Sequence, residues 1–240
     1  MDPLLALIAA SAGYLLGSIS FARIVARFVA PDLNIGDGVE MEFSGGKEPL
    51  QLDAVGGTAV ASRLGDRYGC LTAVLDMLKV AAPTLVFRLA YPEEPYLLIT
   101  ATMGVVGHNW PLYHRFKGGR GLSAIYGGFF IIDPIGTVVT SFAALALGLV
   151  LKNVLVAYSA GTWLMIPWLW FRTGDPAYLV YVLTVNIIYM VAMIPDIRRI
   201  RDRRRRGVSA GFEGAMAGTP MGRGMNKLAA RLGLARGEQQ

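Results

Sequence analysis

The sequence contains little cysteine and little charge. Its one cysteine, Cys70, cannot form an intrachain disulfide, and it cannot supply a thiol-rich metal site or a redox pair. Only 17% of the 240 residues are charged, whereas 54% are hydrophobic. A soluble single domain does not bury so much apolar surface, so part of this surface has to face lipid. The composition therefore excludes thiol-based redox chemistry and indicates an integral membrane protein.

The chain also lacks a basic region in front of its first hydrophobic segment. It begins Met1-Asp2-Pro3, and the apolar segment Leu4 to Ala22 follows directly. Because a cleaved signal peptide starts with positive charge, this pattern favours a retained helix. The net charge of +6 is concentrated between hydrophobic segments and in the run Arg198 to Arg206. Such placement is typical of membrane orientation and anionic lipid contact, so we expect a lipid bilayer, and no nucleic acid, as partner.

Seven segments are hydrophobic enough to form membrane helices. A helix that crosses about 30 Å of hydrocarbon needs about 20 residues, and shorter helices are tolerated inside a bundle. The segments are Leu4 to Ala22, Gly69 to Leu89, Tyr96 to Trp110, Gly121 to Ile132, Pro134 to Leu151, Val154 to Phe171 and Ala177 to Ile194. Since Gly121 to Ile132 is too short to span alone, we expect a neighbouring loop to enter the membrane there. The sequence predicts an all-α, polytopic integral membrane helix bundle of about seven transmembrane helices.

Lysine and arginine are distributed unequally between the two sides of this bundle. With the N-terminus outside, the outer side keeps only Arg88 and Arg172. The other side collects Arg23, Arg27, Lys47, Arg63, Arg67, Arg115, Lys117, Arg120, Lys152 and the Arg198 to Arg206 run. Under the positive-inside rule that side is cytoplasmic, and seven crossings place the C-terminus there as well. We expect residues 201–240 to form a basic, flexible cytoplasmic tail that is loose or lies on the membrane, with a short amphipathic helix from Asn226 to Leu234.

The strongest local signal lies where the third segment meets the cytoplasm. Gly107-His108-Asn109-Trp110-Pro111 is followed by Phe116-Lys117-Gly118-Gly119-Arg120-Gly121. Glycines let backbone amides approach an anion, the next helix presents its positive N-terminal end, and Lys117 and Arg120 add charge. The pattern predicts a phosphate site. A basic turn beside the membrane, with glycines for tight packing, explains the same spacing equally well.

Three further polar residues are open to a structural and a functional interpretation. Asp76 and Lys79 lie three residues apart on one face of a hydrophobic segment. Because charges are costly in lipid, we expect a pair that faces the bundle interior and the site loops rather than one that reacts directly. His108 either touches substrate or makes a structural hydrogen bond at a helix end.

The sequence resembles the bacterial acyl-phosphate-dependent glycerol-3-phosphate acyltransferases, which are small integral membrane enzymes of phospholipid synthesis. The resemblance covers roughly Leu4 to Ile200 and rests on Gly-His-x-x-Pro followed by Phe-Lys-Gly-Gly-Lys-Gly. These motifs read Gly107 to Pro111 and Phe116 to Gly121 here, with Arg120 in place of the second lysine. Further matches are Gly17-Ser18-Ile19 with Phe21, and Leu75-Asp76 with Lys79. The resemblance implies a membrane acyltransferase domain over residues 1–200 in the bacterial inner (plasma) membrane.

The chain departs from that family at several polar positions. Before its second helix the family has Ser-Gly-Asn-x-Gly-Ala-Thr-Asn-x-x-Arg, where this chain runs from Asp53 to Arg63 and keeps Gly57. The family serine becomes Asp53, the asparagines become Val55 and Val60, and Thr58 lies one place from the family threonine. The family's His-x-x-Asn-Ile aligns with Met193, Asp196 and Ile197, and a further serine falls on Leu155.

The resemblance implies transfer of a fatty acyl group from acyl phosphate to the sn-1 hydroxyl of glycerol 3-phosphate, without a metal or a cofactor. It implies catalytic roles for His108, Arg120 and Arg63. It implies substrate binding by Gly56, Gly57, Thr58, Lys117, Gly118, Gly119, Gly121 and Lys79. The loop Gly56 to Arg63 is expected to fold towards Gly118 to Gly121, so that Arg63 and Arg120 point into one cytoplasmic cavity. Arg120 is also expected to face water, so that its replacement changes binding and not folding.

Two alternatives stay open at this point. Asp53 would repel a dianionic phosphate, which favours another phosphorylated or neutral alcohol as the acceptor. The changes at Asp53, Leu155, Met193 and Asp196 together favour a non-catalytic membrane protein that keeps the fold and binds lipid or phosphate.

Overall fold

Helices form most of the part of the chain that the computed structural model describes, which is residues 1–41, 50–205 and 220–231. They are α1 (Pro3–Gly17), α2 (Phe21–Val29), α3 (Gly57–Leu64), α4 (Asp66–Ala90), α5 (Tyr96–Asn109), α6 (Leu122–Ile132), α7 (Pro134–Val150), α8 (Val154–Thr173), α9 (Pro176–Arg205) and α10 (Pro220–Arg231). Short 3-10 turns lie at Ile35–Asp37 and Leu112–His114. Each predicted hydrophobic segment lies on one or two of these helices.

Two short strands lie within this otherwise helical fold. Strands β1 (Val39–Met41) and β2 (Leu50–Leu52) pair in antiparallel register, with Val39 opposite Leu52 and Met41 opposite Leu50. Both strands have an apolar residue on each side of a polar one, which is the period of two expected of a strand. The residues between them, 42–49, lie outside the described part of the chain. This hairpin occupies part of the polar insertion that precedes α3.

Four stretches of the described residues are long and apolar enough to cross a membrane. They are Pro3–Val29, Asp66–Ala90, Val154–Thr173 and Pro176–Asp202. Helices α6 and α7 are apolar but shorter. Large apolar side chains also point away from the bundle, such as Phe171 and Leu89, which are 85% and 73% exposed. Such an apolar surface is stable in contact with lipid, so the chain is a membrane protein.

The first predicted segment is not one continuous helix. Helix α1 ends at Gly17 and α2 begins at Phe21. In the break between them, the carbonyl of Ile19 accepts a hydrogen bond from the Lys79 Nζ at 2.6 Å. A backbone carbonyl released from a helix ladder is a suitable partner for a charge buried at membrane depth. The break therefore supplies part of the surroundings that hold Lys79.

Helices α1 and α5 approach each other closely through glycine. A Cβ atom added at Gly17 would lie 2.3 Å from the carbonyl oxygen of Gly104, and one at Gly107 would lie 2.3 Å from that of Tyr14. Small residues at helix contacts let backbones pack at short range, which is a common source of association energy in membranes. This contact sets the position of His108 at the end of α5.

The main apolar core lies between α5, α6, α8 and α9. Its buried side chains include Val105, Phe129, Met165 and Val182, one from each of these helices. Phe129 also makes an edge-to-face contact with Tyr181 at 6.0 Å between ring centroids. Packed aromatic and aliphatic side chains give these helices a fixed rotation. Residues near the ends of these helices are therefore held in defined directions.

The tail contains a docked helix rather than only a loose segment. Helix α10 begins at Pro220, six residues before the predicted start, and the described part ends at Arg231. Its Met225 is 5% exposed and packs against Val154 and Ala157 of α8. Arg223 forms an ion pair with Asp66 at the start of α4. Residues 206–219 and 232–240, which belong to the predicted tail, lie outside the described residues.

Candidate active site

A cleft of about 420 Å³ opens between α3, α4 and the first turn of α6. Both glycine-containing segments contribute to its wall. A hydrogen bond from the Val55 amide to the carbonyl of Gly118, 3.0 Å long, joins the two segments. The lining residues are Ala54, Gly56, Gly57, Thr58, Ala59, Ala61, Gly69, Cys70, Ala73, Asp76, His108, Gly119, Arg120, Gly121, Leu122, Ser123 and Tyr158. The structure thus brings together the two segments that the sequence analysis expected to meet.

Glycine is required in the cleft wall by close contacts. The amide of Gly119 donates to the carbonyl of His108 at 3.1 Å, and a Cβ at Gly119 would lie 2.1 Å from the His108 Nε2. Gly121 has φ +88°, and a Cβ there would lie 2.5 Å from the Asn109 Oδ1. Tight packing, one of the two interpretations of this motif, is therefore present. The same packing leaves these glycines on the surface of the cleft, where an anion could reach their backbone.

A buried group of three polar residues lies behind this wall. The Lys79 Nζ is 2.8 Å from the Asp76 Oδ1, and the His108 Nδ1 is 3.6 Å from the same oxygen. All three residues are at most 8% exposed. Asp76 and His108 line the cleft, whereas Lys79 lines a much smaller pocket on the other side of His108. Lys79 was predicted to bind substrate, but its Nζ is held by Asp76 and the Ile19 carbonyl, as a structural pair would be.

Arg120 forms a two-pronged ion pair with Asp196 of α9. Its Nε donates to the Asp196 Oδ2 and its Nη2 donates to the Asp196 Oδ1, each at 2.5 Å. The Asp196 side chain is 2% exposed and the Arg120 side chain is 19% exposed. The expectation that Arg120 faces water is therefore wrong, because most of its side chain is enclosed and its guanidinium binds Asp196. Its place on the cleft wall still leaves N–H groups to face a ligand.

A second acid that the family motifs lack, Asp53, also forms an ion pair. Asp53, in the segment before α3, forms an ion pair with Arg199 of α9. Its negative charge is therefore offset by a guanidinium before any substrate approaches. The argument that Asp53 repels a phosphate is weakened by this partner, since the pair presents little net charge.

Arg63 and Lys117 do not line the cleft. On α3 the cleft is lined by Gly57, Thr58, Ala59 and Ala61, all in the first five residues of the helix, whereas Arg63 lies in its last turn. The expectation that Arg63 and Arg120 share one cavity is not met, because Arg120 lines the cleft and Arg63 does not.

The basic turn before α6 is tied to the break in the first segment. Arg23 donates through Nη2 to the carbonyl of Lys117 at 2.9 Å, and the Leu112 amide donates to the Ser18 Oγ at 3.3 Å. The Lys117 side chain itself is exposed. Partial burial, with the charges of Arg23 and Lys79, lowers the pKa of His114. The positive charge of this turn at neutral pH therefore comes from arginine and lysine.

Two parts of the cleft were not predicted, the α4 wall around Gly69 and Ala73, and Tyr158. Gly69 and Ala73 share one face of α4 with Asp76, which was expected to face the site loops, because the three residues follow each other at steps of four and three. That spacing could have identified the α4 wall from the sequence. Tyr158 also lines the cleft, but it lies on α8, and no local pattern around it signals this position.

A sequence model of the family described as "Glycerol-3-phosphate acyltransferase" matches residues 45–203. A glycerol-3-phosphate acyltransferase of Aquifex aeolicus is 34% identical over 123 residues, which cover 50% of this chain and 56% of the relative. Over several of the curated relatives that it matches, the chain thus spans about half of their length. A relative of the same name from Syntrophotalea carbinolica is 30% identical over 194 residues, covering 79% of this chain and 90% of the relative.

The fold has a counterpart among solved structures. A crystal structure of PlsY, an integral membrane glycerol 3-phosphate acyltransferase in its glycerol 3-phosphate form, has a TM-score of 0.67 and 25% identity. The superposition covers 86% of this chain and 95% of the other. A second structure, in the lysophosphatidic acid form, has a TM-score of 0.66 at 24% identity and supports the fold alone. The matched residues 45–203 contain the whole cleft described above, and the chain belongs to the glycerol-3-phosphate acyltransferase family.

Proposed function

We propose that the protein transfers a fatty acyl group from acyl phosphate to the sn-1 hydroxyl of glycerol 3-phosphate, giving lysophosphatidic acid and inorganic phosphate. Membership of the acyltransferase family supports the reaction type. The forms named for the PlsY structures, with glycerol 3-phosphate and with lysophosphatidic acid, support the acceptor and the product. The acyl-phosphate donor and the position of transfer follow from the sequence resemblance.

An acyl phosphate is a mixed anhydride with a good leaving group, so the reaction needs no enzyme nucleophile. The acceptor oxygen forms a bond to the acyl carbon, the bond from that carbon to the phosphate oxygen breaks, and the hydroxyl proton ends on the departing phosphate. Orientation of the two substrates and stabilisation of charge can supply most of the rate enhancement. A cleft with arginine, backbone amides and a histidine is suited to both tasks.

In this proposal the phosphate groups bind along Gly56, Gly57 and Thr58 and against Gly119 to Gly121. Backbone amides at the start of α6 present positive partial charge to an anion, and Arg120 adds charge-assisted hydrogen bonds. His108, whose ring lies against Gly119, contacts the reacting groups. Arg63 and Lys117 have no place in this set, because the cleft does not include them.

The proposal is supported most directly by the ion pairs of Asp53 and Asp196, two acids at positions where the family motifs have other residues. Asp53 and Asp196 are not unmatched charges left in a decayed pocket, since Arg199 and Arg120 bind them. An unpaired acid as buried as Asp196 would be costly, so the pairs maintain a defined polar site. This favours a working enzyme over a non-catalytic protein that keeps only the fold.

A less charged acceptor is the second candidate. The charged side chains that line the cleft include Asp76 and Arg120, and each is paired with a residue of opposite charge outside the lining, Lys79 and Asp196. Because these charges offset each other, the side chains give a dianionic acceptor no net positive charge. A neutral alcohol such as glycerol would lose less by binding here.

The cleft also suggests how the protein sits in its membrane. We place it in the bacterial inner membrane with about seven crossings, the N-terminus outside and the cleft at the cytoplasmic surface. The acyl chain enters sideways between helices from the bilayer, where each buried methylene contributes about 0.8 kcal/mol. The polar ends of both substrates then meet at the cleft.

The deciding experiment measures phosphate release by the purified protein from palmitoyl phosphate. We expect release to depend on added glycerol 3-phosphate and to be matched by formation of lysophosphatidic acid, measured by mass spectrometry. Glycerol in place of glycerol 3-phosphate tests the second candidate. Absence of acceptor-dependent release with either alcohol would contradict an acyltransferase function.

A further inference from the structure

We propose that Asp196 is a positioning residue for Arg120, which it holds in the orientation that grips a phosphate oxygen in the cleft. The proposal rests on the function proposed above, since it assigns Arg120 a phosphate ligand. The family motifs have lysine and asparagine at these two positions, 76 residues apart in the chain. In the structure Arg120 and Asp196 form one ion pair, so the two differences from the family motifs are coupled changes rather than separate losses of site residues.

The geometry of the pair fixes the guanidinium plane. Asp196 accepts hydrogen bonds from Nε and Nη2 of Arg120, so one edge of the planar guanidinium is bound. A guanidinium has five N–H groups, and two are used in this way. Both hydrogens of Nη1 and one of Nη2 remain, and no hydrogen bond from the described residues occupies Nη1. Because Arg120 lines the cleft, these groups are the ones that we assign to a ligand there.

Burial of Asp196 makes this anchor rigid. Its side chain is 2% exposed on α9, whose rotation is set by the apolar core around Val182 and Val185. Arginine has a long side chain with several rotatable bonds, so an unanchored guanidinium loses conformational entropy when it binds a ligand. An arginine that is already held loses less, and the ligand binds more tightly as a result.

Asp196 has a second effect of opposite sign. Its negative charge reduces the attraction between Arg120 and an anion in the cleft. That reduction acts across the guanidinium and is weakened by water in an open cleft, whereas a hydrogen bond to Nη1 is made at contact. We therefore expect orientation to outweigh the charge. Lysine, a compact point charge, needs no planar anchor, which explains why asparagine accompanies lysine in the family motifs.

The test compares KM for glycerol 3-phosphate and affinity for inorganic phosphate among five variants and the wild type. Asp196→Asn should raise KM about tenfold with little change in kcat and weaken phosphate binding to a similar extent. In an Arg120→Gln background, Asp196→Asn should change neither value more than twofold, because the residue acts only through Arg120. The double variant Arg120→Lys with Asp196→Asn should recover to within about threefold of the wild type. Asp202→Asn, an exposed acid on the same helix, is the matched control and should behave as the wild type.

Each other outcome contradicts the inference. A lower KM for Asp196→Asn would mean that the carboxylate only offsets charge, and an unchanged KM would mean that it only stabilises the fold. Additive effects of the changes at 120 and 196 would mean that Asp196 acts independently of Arg120. If Asp196→Asn does not fold, the two double variants decide the matter. A wild type that releases no phosphate with the acceptor contradicts the proposed function instead, and the affinities for inorganic phosphate still test the positioning role.

Discussion

Arg120 shows that one residue can belong to both the site and the fold. Its position before α6, after two glycines, indicates a phosphate ligand, and its carboxylate partner is invisible in the local sequence. Asp196 is nearly fully buried, so it depends on Arg120 to offset its charge. Removal of one partner from a buried pair is strongly destabilising, because the other charge is left uncompensated.

At this scale we predict that Arg120→Ala destabilises the protein as well as weakening phosphate binding. Loss of a buried partner typically costs about 3 to 5 kcal/mol of folding free energy, whereas Arg120→Lys keeps the charge and should cost much less. Thermal unfolding in detergent measures this difference. Arg120→Met combined with Asp196→Leu serves as the control, because it removes both charges and should restore most of the stability. Equal unfolding temperatures for Arg120→Ala and the wild type would mean that Asp196 is not buried as described.

Among the elements, α1 and α5 depend on glycine for their contact. We predict that Gly17→Ala lowers the unfolding temperature, because the added Cβ would lie 2.3 Å from the Gly104 carbonyl oxygen. Overpacking of a fitted contact typically costs about 1 to 3 kcal/mol. Ser11→Ala is the matched control, since Ser11 is exposed on the same helix. Similar unfolding temperatures for the two variants would show that α1 and α5 are farther apart than described.

Helix α10 is the element that the sequence placed least well. It docks through Met225 on α8 and through Arg223 to Asp66 of α4, and both helices line the cleft further along. The family model ends at residue 203, so this helix is an extension beyond the matched domain. Its contact with the first turn of α8 is continuous with Tyr158, a residue of the cleft wall.

We predict that Met225→Asp releases α10 from the bundle. A carboxylate in a position that is 5% exposed loses its hydration without gaining a partner, which the short helix cannot compensate. Limited trypsin digestion in detergent should then cleave at Lys227 and Arg231 several times faster than in the wild type. Asn226→Asp introduces the same acidic side chain at the neighbouring exposed position and should leave the rate unchanged. Equal cleavage of the two variants would mean that α10 is not docked.

At the scale of the whole molecule, the orientation in the membrane is still a prediction. Arg88 and Arg172 are the two basic residues on the predicted outer side, and both have structural roles. Arg88 donates to the carbonyl of Ile131, and Arg172 forms an ion pair with Asp133 at 2.6 Å. Both contacts lie at the C-terminal end of α6, where positive charge is favourable. These arginines are therefore accounted for without a reversed topology.

We expect a cysteine at Thr173 to react with a membrane-impermeant reagent in intact cells, and a cysteine at Lys152 to react only after lysis. Both are introduced into a Cys70→Ser background, which removes the single native thiol. The two positions lie at opposite ends of α8, so they should be on opposite sides of the membrane. Reaction of the Lys152 site, but not the Thr173 site, in intact cells would reverse the proposed topology.

The sequence by itself determined that this is a helical membrane protein of the acyltransferase family with a glycine-rich segment at the end of a helix. Those properties depend on hydrophobic length and on residues close together in the chain, such as His108 and Gly119. Only the tertiary structure decided that Arg120 meets Asp196, that Asp53 meets Arg199, and that Arg63 does not line the cleft. These outcomes depend on how α3, α6 and α9 are rotated about their axes. Side-chain packing between distant segments sets those rotations, and no local pattern contains them.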